Sequence, residues 1–230
     1  MKSIHSILCL FMMMICFGQL VSCAGIKAEN KSLYALDPGR PDTLGHSKGV
    51  QEFSYGPSGL ARDQILVVRK VSIAPPFDGL SLIHRRSDGT YVKDYYSDWV
   101  APPEELISSE LLNWLSESAP FASVVDGRSA ATHRFALETS ITSLCGDFQD
   151  SSKPRVVFNA RVYLIDETAV NRSIAWQNRY DISIPIEVAS AQQLVLGSGR
   201  ACRQLLESLT HDLSNFREQS ATARLAHEQR

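Results

Sequence analysis

Three stretches near the middle of the chain alternate apolar and polar residues, and this constrains the fold more than anything else in the sequence. In the first, Phe135, Leu137, Ile141 and Cys145 share one parity. In the second, Val156, Phe158, Ala160, Val162 and Leu164 alternate with Asn159 and Arg161. In the third, Ile174, Trp176, Tyr180, Ile182 and Ile184 alternate with Gln177, Arg179 and Asp181. Successive side chains of a strand point to opposite faces, so these runs predict an antiparallel sheet with one dry and one wet face. A dry face must be covered. The periodicity supplies two helices for that purpose.

The first helix lies in "APPEELISSELLNWLSESAPF". Pro102 and Pro103 suit its first turn, Glu104 and Glu105 complement its N-terminal dipole, and Pro120 ends it. Ile107, Leu111, Trp114 and Leu115 form its apolar face. The second helix begins at Ser190 or at Ser198, the latter read as N-cap after Gly197, and runs to about Arg217. Its stripe is Cys202, Leu205, Leu206, Leu209, Leu213 and Phe216.

Upstream, "QILVVRKVSIAPP" predicts one buried central strand stopped by Pro75 and Pro76. "SLIHRRSDGTYVKDYY" predicts a hairpin turning at Asp88-Gly89, and a short strand covers 122–125. Residues 39–63 predict an extended loop with one short strand near Phe53. The fold class is α+β: a mostly antiparallel, mixed sheet with two main helices on one face. Cys145 falls on the inward parity of its strand and Cys202 on the stripe of its helix, so a disulfide is expected between them. The alternative is two buried free thiols.

The start of the chain is an address. Lys2 precedes an apolar run from about Ile7 to Phe17, too short to span a bilayer. Leu20-Val21-Ser22-Cys23 follows and resembles a bacterial lipobox, which makes Cys23 the lipidated first residue of the mature protein. The resemblance to such lipoproteins implies an outer-membrane destination, since by their usual sorting rule Ala24 stands where Asp would retain the protein. The expected organisation is a signal peptide at 1–22, a lipidated tether at 23–32, one domain at 33–217 and a polar tail at 218–230. Removal of Lys2 takes the formal charge from −2 to about −3, which gives no reason to expect nucleic acid as a partner.

Motifs for catalysis are lacking. Gly45-His46-Ser47-Lys48-Gly49 spells Gly-x-Ser-x-Gly, but it falls in the stretch read as an extended loop, without the strand-turn-helix setting that motif needs. No His-Glu-x-x-His or Cys-x-x-Cys occurs, and the histidines are scattered without metal-ligand spacing. The reading is a binding or assembly module that is not an enzyme, with no catalytic residue, metal or cofactor.

A lipobox, "LYALDPG", "ILVVRKVSIAPPFDG", "YVKDYYSDW" and "PPEELISSELLNWLSESAPFASVV" follow one another in this order. That order resembles the auxiliary lipoproteins of ABC-type lipid transport systems, the PqiC/YmbA-like family that accompanies MCE-domain proteins. It departs from the family's usual aromatic-aromatic-Ala-Glu-Pro-Leu lead into the helix, which here reads Ser97-Asp98-Trp99-Val100-Ala101-Pro102-Pro103, with the tryptophan kept and its surroundings changed. The resemblance implies a periplasm-facing, non-catalytic accessory protein held at the outer membrane. It would dock on an MCE-domain protein and its ABC transporter, and it leaves room for a homo-oligomeric ring. Tyr91, Tyr95, Tyr96 and Trp99 are the candidate docking residues, as exposed aromatics anchor many interfaces. Trp114 is expected in the core. The competing readings are a periplasmic lipid carrier, which needs an apolar cavity between sheet and helices, and a general envelope-structure lipoprotein.

Overall fold

The computed structural model describes residues 30–41, 64–168 and 172–228. The signal segment, Cys23 with its lipobox, most of the tether and the loop around Phe53 lie outside them.

The α+β architecture is as the alternation predicts. β7 (Phe135–Asp147), β8 (Arg155–Asp166) and β9 (Ser173–Pro185) form a continuous antiparallel meander. The other side of β7 is shared end to end by three short strands, all parallel to it: β2 (Ile65–Val68), β3 (Ser72–Ile73) and β4 (Ser81–Arg85). The stretch 64–76 is therefore two strands and not one. The polar Arg69-Lys70 pair breaks it, and at the break the Val71 amide donates to Ser108 Oγ at 2.9 Å. β6 (Ser123–Asp126) extends the sheet beyond β2. On the other flank, β5 (Tyr91–Trp99) pairs with β4, and β1 (Ser32–Tyr34) pairs with the end of β5.

Two helices cover one face. α1 (Pro103–Ser118) starts on the two prolines and buries Ile107, Leu111, Trp114 and Leu115, as its periodicity predicts. Trp114 Nε1 donates to Thr210 Oγ1 at 3.2 Å, tying α1 to α2 (Ala191–Glu228). α2 begins at the earlier of the two expected points: Ser190 Oγ accepts from the Gln193 amide at 3.3 Å. Ser198 is not a cap. It is buried inside the helix and donates to the Leu194 carbonyl at 2.8 Å.

The glycines beside Ser198 mark close approach instead. A Cβ at Gly197 would stand 2.5 Å from Val156 Cγ2, and one at Gly199 would stand 2.3 Å from the Asp37 carbonyl oxygen. α2 also passes the expected end at Arg217 and continues to Glu228, because "REQSATARLAHE" holds helix formers and neither Gly nor Pro.

The expected disulfide is absent: Cys145 and Cys202 are separate buried thiols. The reason is a β-bulge. The register places Ile141 opposite Ala160 but Ser143 opposite Asn159, so Thr142 is extra and the parity of β7 flips. Beyond the bulge Leu144 and Gly146 face the helices, while Cys145 shares the face of Val157, away from α2 and Cys202. Burial raises both thiols, Cys145 to about 11 and Cys202 to about 12, which keeps them protonated and unreactive. A second bulge sets Ile165 opposite Ile174, so Ile174 turns outward and is exposed.

A candidate docking surface at the tyrosine edge

Gly89, at φ +83°, closes the β4–β5 turn; its amide bonds to the Arg86 carbonyl, and Asp88 Oδ1 accepts the Thr90 amide at 2.9 Å. Regular pairing runs as far as Ile83 opposite Lys93, but the next rung is Ser81 opposite Asp98. Two steps along β4 thus face five along β5, and the surplus is extruded as a bulge. Asp94 shapes it, because its Oδ1 accepts the Tyr96 amide at 2.8 Å. The result pushes Tyr95 and Tyr96 outward, ring edge against ring face with centroids 5.0 Å apart.

Of the four aromatic candidates, Tyr95 is 74% exposed, and Tyr91 and Tyr96 are about half exposed. Trp99 is different: it is only 4% exposed and belongs to the core. Once the bulge ends, β5 pairs on both sides, with Tyr34 of β1 opposite Trp99. Trp99 is thus a packing residue and leaves the candidate list. In its place the structure brings up three residues that the sequence did not single out. Leu33 sits opposite Asp98, Val100 bonds through its amide to the Tyr34 carbonyl, and Leu80 accepts the Trp99 amide; all three are exposed. β1 lying parallel beside the end of β5, and β4 pairing with that same end, make them neighbours, so no local signal marks them.

The chain enters the domain at this edge. Lys31 Nζ bonds to Asp98 Oδ2 at 2.8 Å and stands 5.7 Å from the centre of the Tyr95 ring. The Asp98 carboxyl is held below its usual value chiefly by that Lys31 bond, against the opposing push of burial.

Several charged groups elsewhere form closed clusters. Asp147, almost fully buried, accepts from Arg85 at 3.1 Å and Arg155 at 2.7 Å. Glu167 is gripped by Arg69, Arg172 and His133, whose two ring nitrogens are both engaged, one with Glu167 and one with the Ala131 carbonyl. Among the described residues, no group of three His, Cys, Asp or Glu side chains could hold a metal. At Asp166, burial pushes the carboxyl up, but bonds from Arg134 and Thr168 more than offset it and hold it at about 2. A carboxyl depressed in the folded state stabilises above its unfolded value, near 4, and that contribution is lost as pH falls towards 2. Urea midpoints are therefore expected to fall between pH 5 and pH 2.5, and to fall less in Asp166→Asn. An identical acid slope in the variant would show that Asp166 is not one of the groups responsible.

The space between sheet and helices is filled by Phe158, Leu164, Leu205, Leu206 and Leu209. Two clefts flank α1 instead. One of about 670 Å³ is lined by Asp37, Arg40, Glu110 and Glu117 among others, and one of about 640 Å³ by Arg69, Lys70, Glu105 and Arg128 among others. No described helix is long and apolar enough to cross a membrane.

Two solved structures share this fold. A DUF330 protein from Xanthomonas campestris matches with a TM-score of 0.60 and 16% identity, over 70% of this chain and 92% of its own. A second, uncharacterised protein matches with a TM-score of 0.59 and 17% identity, over 80% of this chain and 99% of its own. No curated protein matches. The model of a single sequence family spans residues 53–210, from ahead of β2 into α2. On that match the chain belongs to the family of ABC-type transport auxiliary lipoprotein components.

Proposed function

We propose that this auxiliary lipoprotein is anchored in the outer membrane through Cys23 and docks on the MCE-domain protein of a lipid transport system. Tyr91, Tyr95 and Tyr96 provide the contact, with Leu33 and Val100 beside them. One observation carries the reading: the exposed aromatic edge lies where the chain arrives from the tether, with Lys31 bonded beneath Tyr95. A partner seated there is met by rings presented outward on a bulge, and Tyr is favoured at such contacts because it buries much area and loses few rotamers. A lipid carrier is less well supported, because the sheet–helix interior is packed and both clefts are lined by charged side chains.

The test is in-cell cross-linking of the full-length protein, tagged after Arg230, followed by mass identification. An MCE protein is the expected product. Joint replacement Tyr95→Ala, Tyr96→Ala should cut its recovery about tenfold or more, the scale of an interface hot spot, and leave the melting midpoint nearly unchanged. Cys23→Ser should move the protein out of the membrane fraction. Recovery of the protein alone, or of cell-wall components, despite normal expression, counts against the docking role; a Cys23→Ser variant that stays membrane-bound counts against the anchor.

A further inference from the structure

We propose that the helix-free face of the sheet carries a second docking point, centred on Arg161, that receives a carboxylate from an acidic protein segment. Arg161 lies near the middle of β8, exposed, with Ser140 of β7 on one side and Arg179 of β9 directly opposite on the other. Like charges directly opposite one another in a sheet repel. The other arginines of this face each have a carboxylate. Arg69 holds Glu138 and Glu167, Arg85 and Arg155 share Asp147, and Arg179 holds Asp181 at 2.9 Å. Among the described residues, Arg161 pairs with none.

The surroundings suit one carboxylate. Ser140, Asn159 and Tyr163 are half-buried and Gln177 is exposed, and the register puts them on the same rung or the adjacent rungs of this face. Each can donate a hydrogen bond, and the guanidinium fork can take a carboxylate with two parallel bonds. The carboxylates nearest by register are Glu138 and Asp181, and both are already engaged. A broad polyanion is the poorer fit, since the face is otherwise charge-balanced and the chain carries a net −2. β4 and β7 separate this point from the tyrosine edge, and it does not depend on the partner proposed for that edge.

The experiment uses the full-length protein in neutral detergent and a short fluorescent peptide of alternating Glu and Ser. A Lys/Ser peptide and phosphatidylglycerol vesicles serve as controls. The Glu peptide is expected to bind with an affinity that falls as salt rises. Arg161→Gln should weaken it about tenfold or more, because a charge-assisted bond is lost, while the melting midpoint stays level or rises as the repulsion disappears. Arg161→Lys should fall between, since it keeps the charge without the fork. Equal peptide binding by wild type and Arg161→Gln overturns the proposal. So does capture of the wild type by vesicles in place of the peptide, or a midpoint several degrees lower in both variants.

Discussion

Phe158→Ala should destabilise the domain by about 3–5 kcal/mol, the range for removing a large aromatic side chain from a well-packed core. Phe158 is fully buried, and β8 is hydrogen-bonded on both sides, so the strand cannot slide to fill the space. Its cross-strand neighbours, Leu144 and Ile182, are held by the same ladders. A loss of this size is a large part of the roughly 5–15 kcal/mol that keeps a domain folded. Urea unfolding of wild type and variant should show a much lower midpoint with an unchanged slope. A shift below about 1 kcal/mol would mean that the sheet and helices relax together around position 158, contrary to close packing.

Gly199→Ala sets two effects of opposite sign against each other. Helix propensity favours Ala over Gly in a helix interior by about 1 kcal/mol. Against this, the added Cβ would stand 2.3 Å from the Asp37 carbonyl oxygen, a backbone atom that cannot rotate aside. Overpacking of this kind costs about 1–3 kcal/mol, so the net effect should be destabilising. It should also be local, lifting the segment around Asp37 and exposing Leu36 and Pro38, which are buried in the native state. Gly199→Val, which adds branching at the same point, should cost about 3 kcal/mol or more. Gly79→Ala is the control, since nothing lies within 4 Å of its Cβ position. Melting midpoints and limited proteolysis near Asp37 decide the matter. A Gly199→Ala protein more stable than wild type would show that the contact yields easily.

The pattern of alternation made the meander and its dry face legible because period two and period 3.6 are direct consequences of strand and helix geometry. The hairpin turn at Asp88-Gly89 and the buried face of α1 were legible for equally local reasons. What could not be read was register. Thr142 looks like any strand residue, yet as an extra residue it reverses the side on which Cys145 lies, and with it the expected bridge to Cys202. The same applies to Trp99: its neighbours Tyr95 and Tyr96 are outside, but pairing with β1, more than sixty positions away by chain number, turns it in. Ser198 between two glycines reads locally as a cap, and only the proximity of Val156 and Asp37 explains why small residues stand there inside a helix. Half of the candidate docking edge was likewise hidden, because Leu33 meets Val100 through the long-range β1–β5 pairing and Leu80 reaches Trp99 past the β5 bulge.

β1 also decides how the domain bears force. Because it runs parallel to β5, a pull on the chain ahead of Lys31 and along the strand strains the rungs at Ser32, Leu33 and Tyr34 together, in shear. A pull across the strand would open them one after another, as a zip opens. The Lys31–Asp98 ion pair is first in line, at 2.8 Å. Thermal motion of the envelope or a moving partner would thus load a short strand in its stiffest direction. If the chain is held by its N-terminal end as proposed, this three-rung pairing at the edge of the sheet is a mechanical coupling.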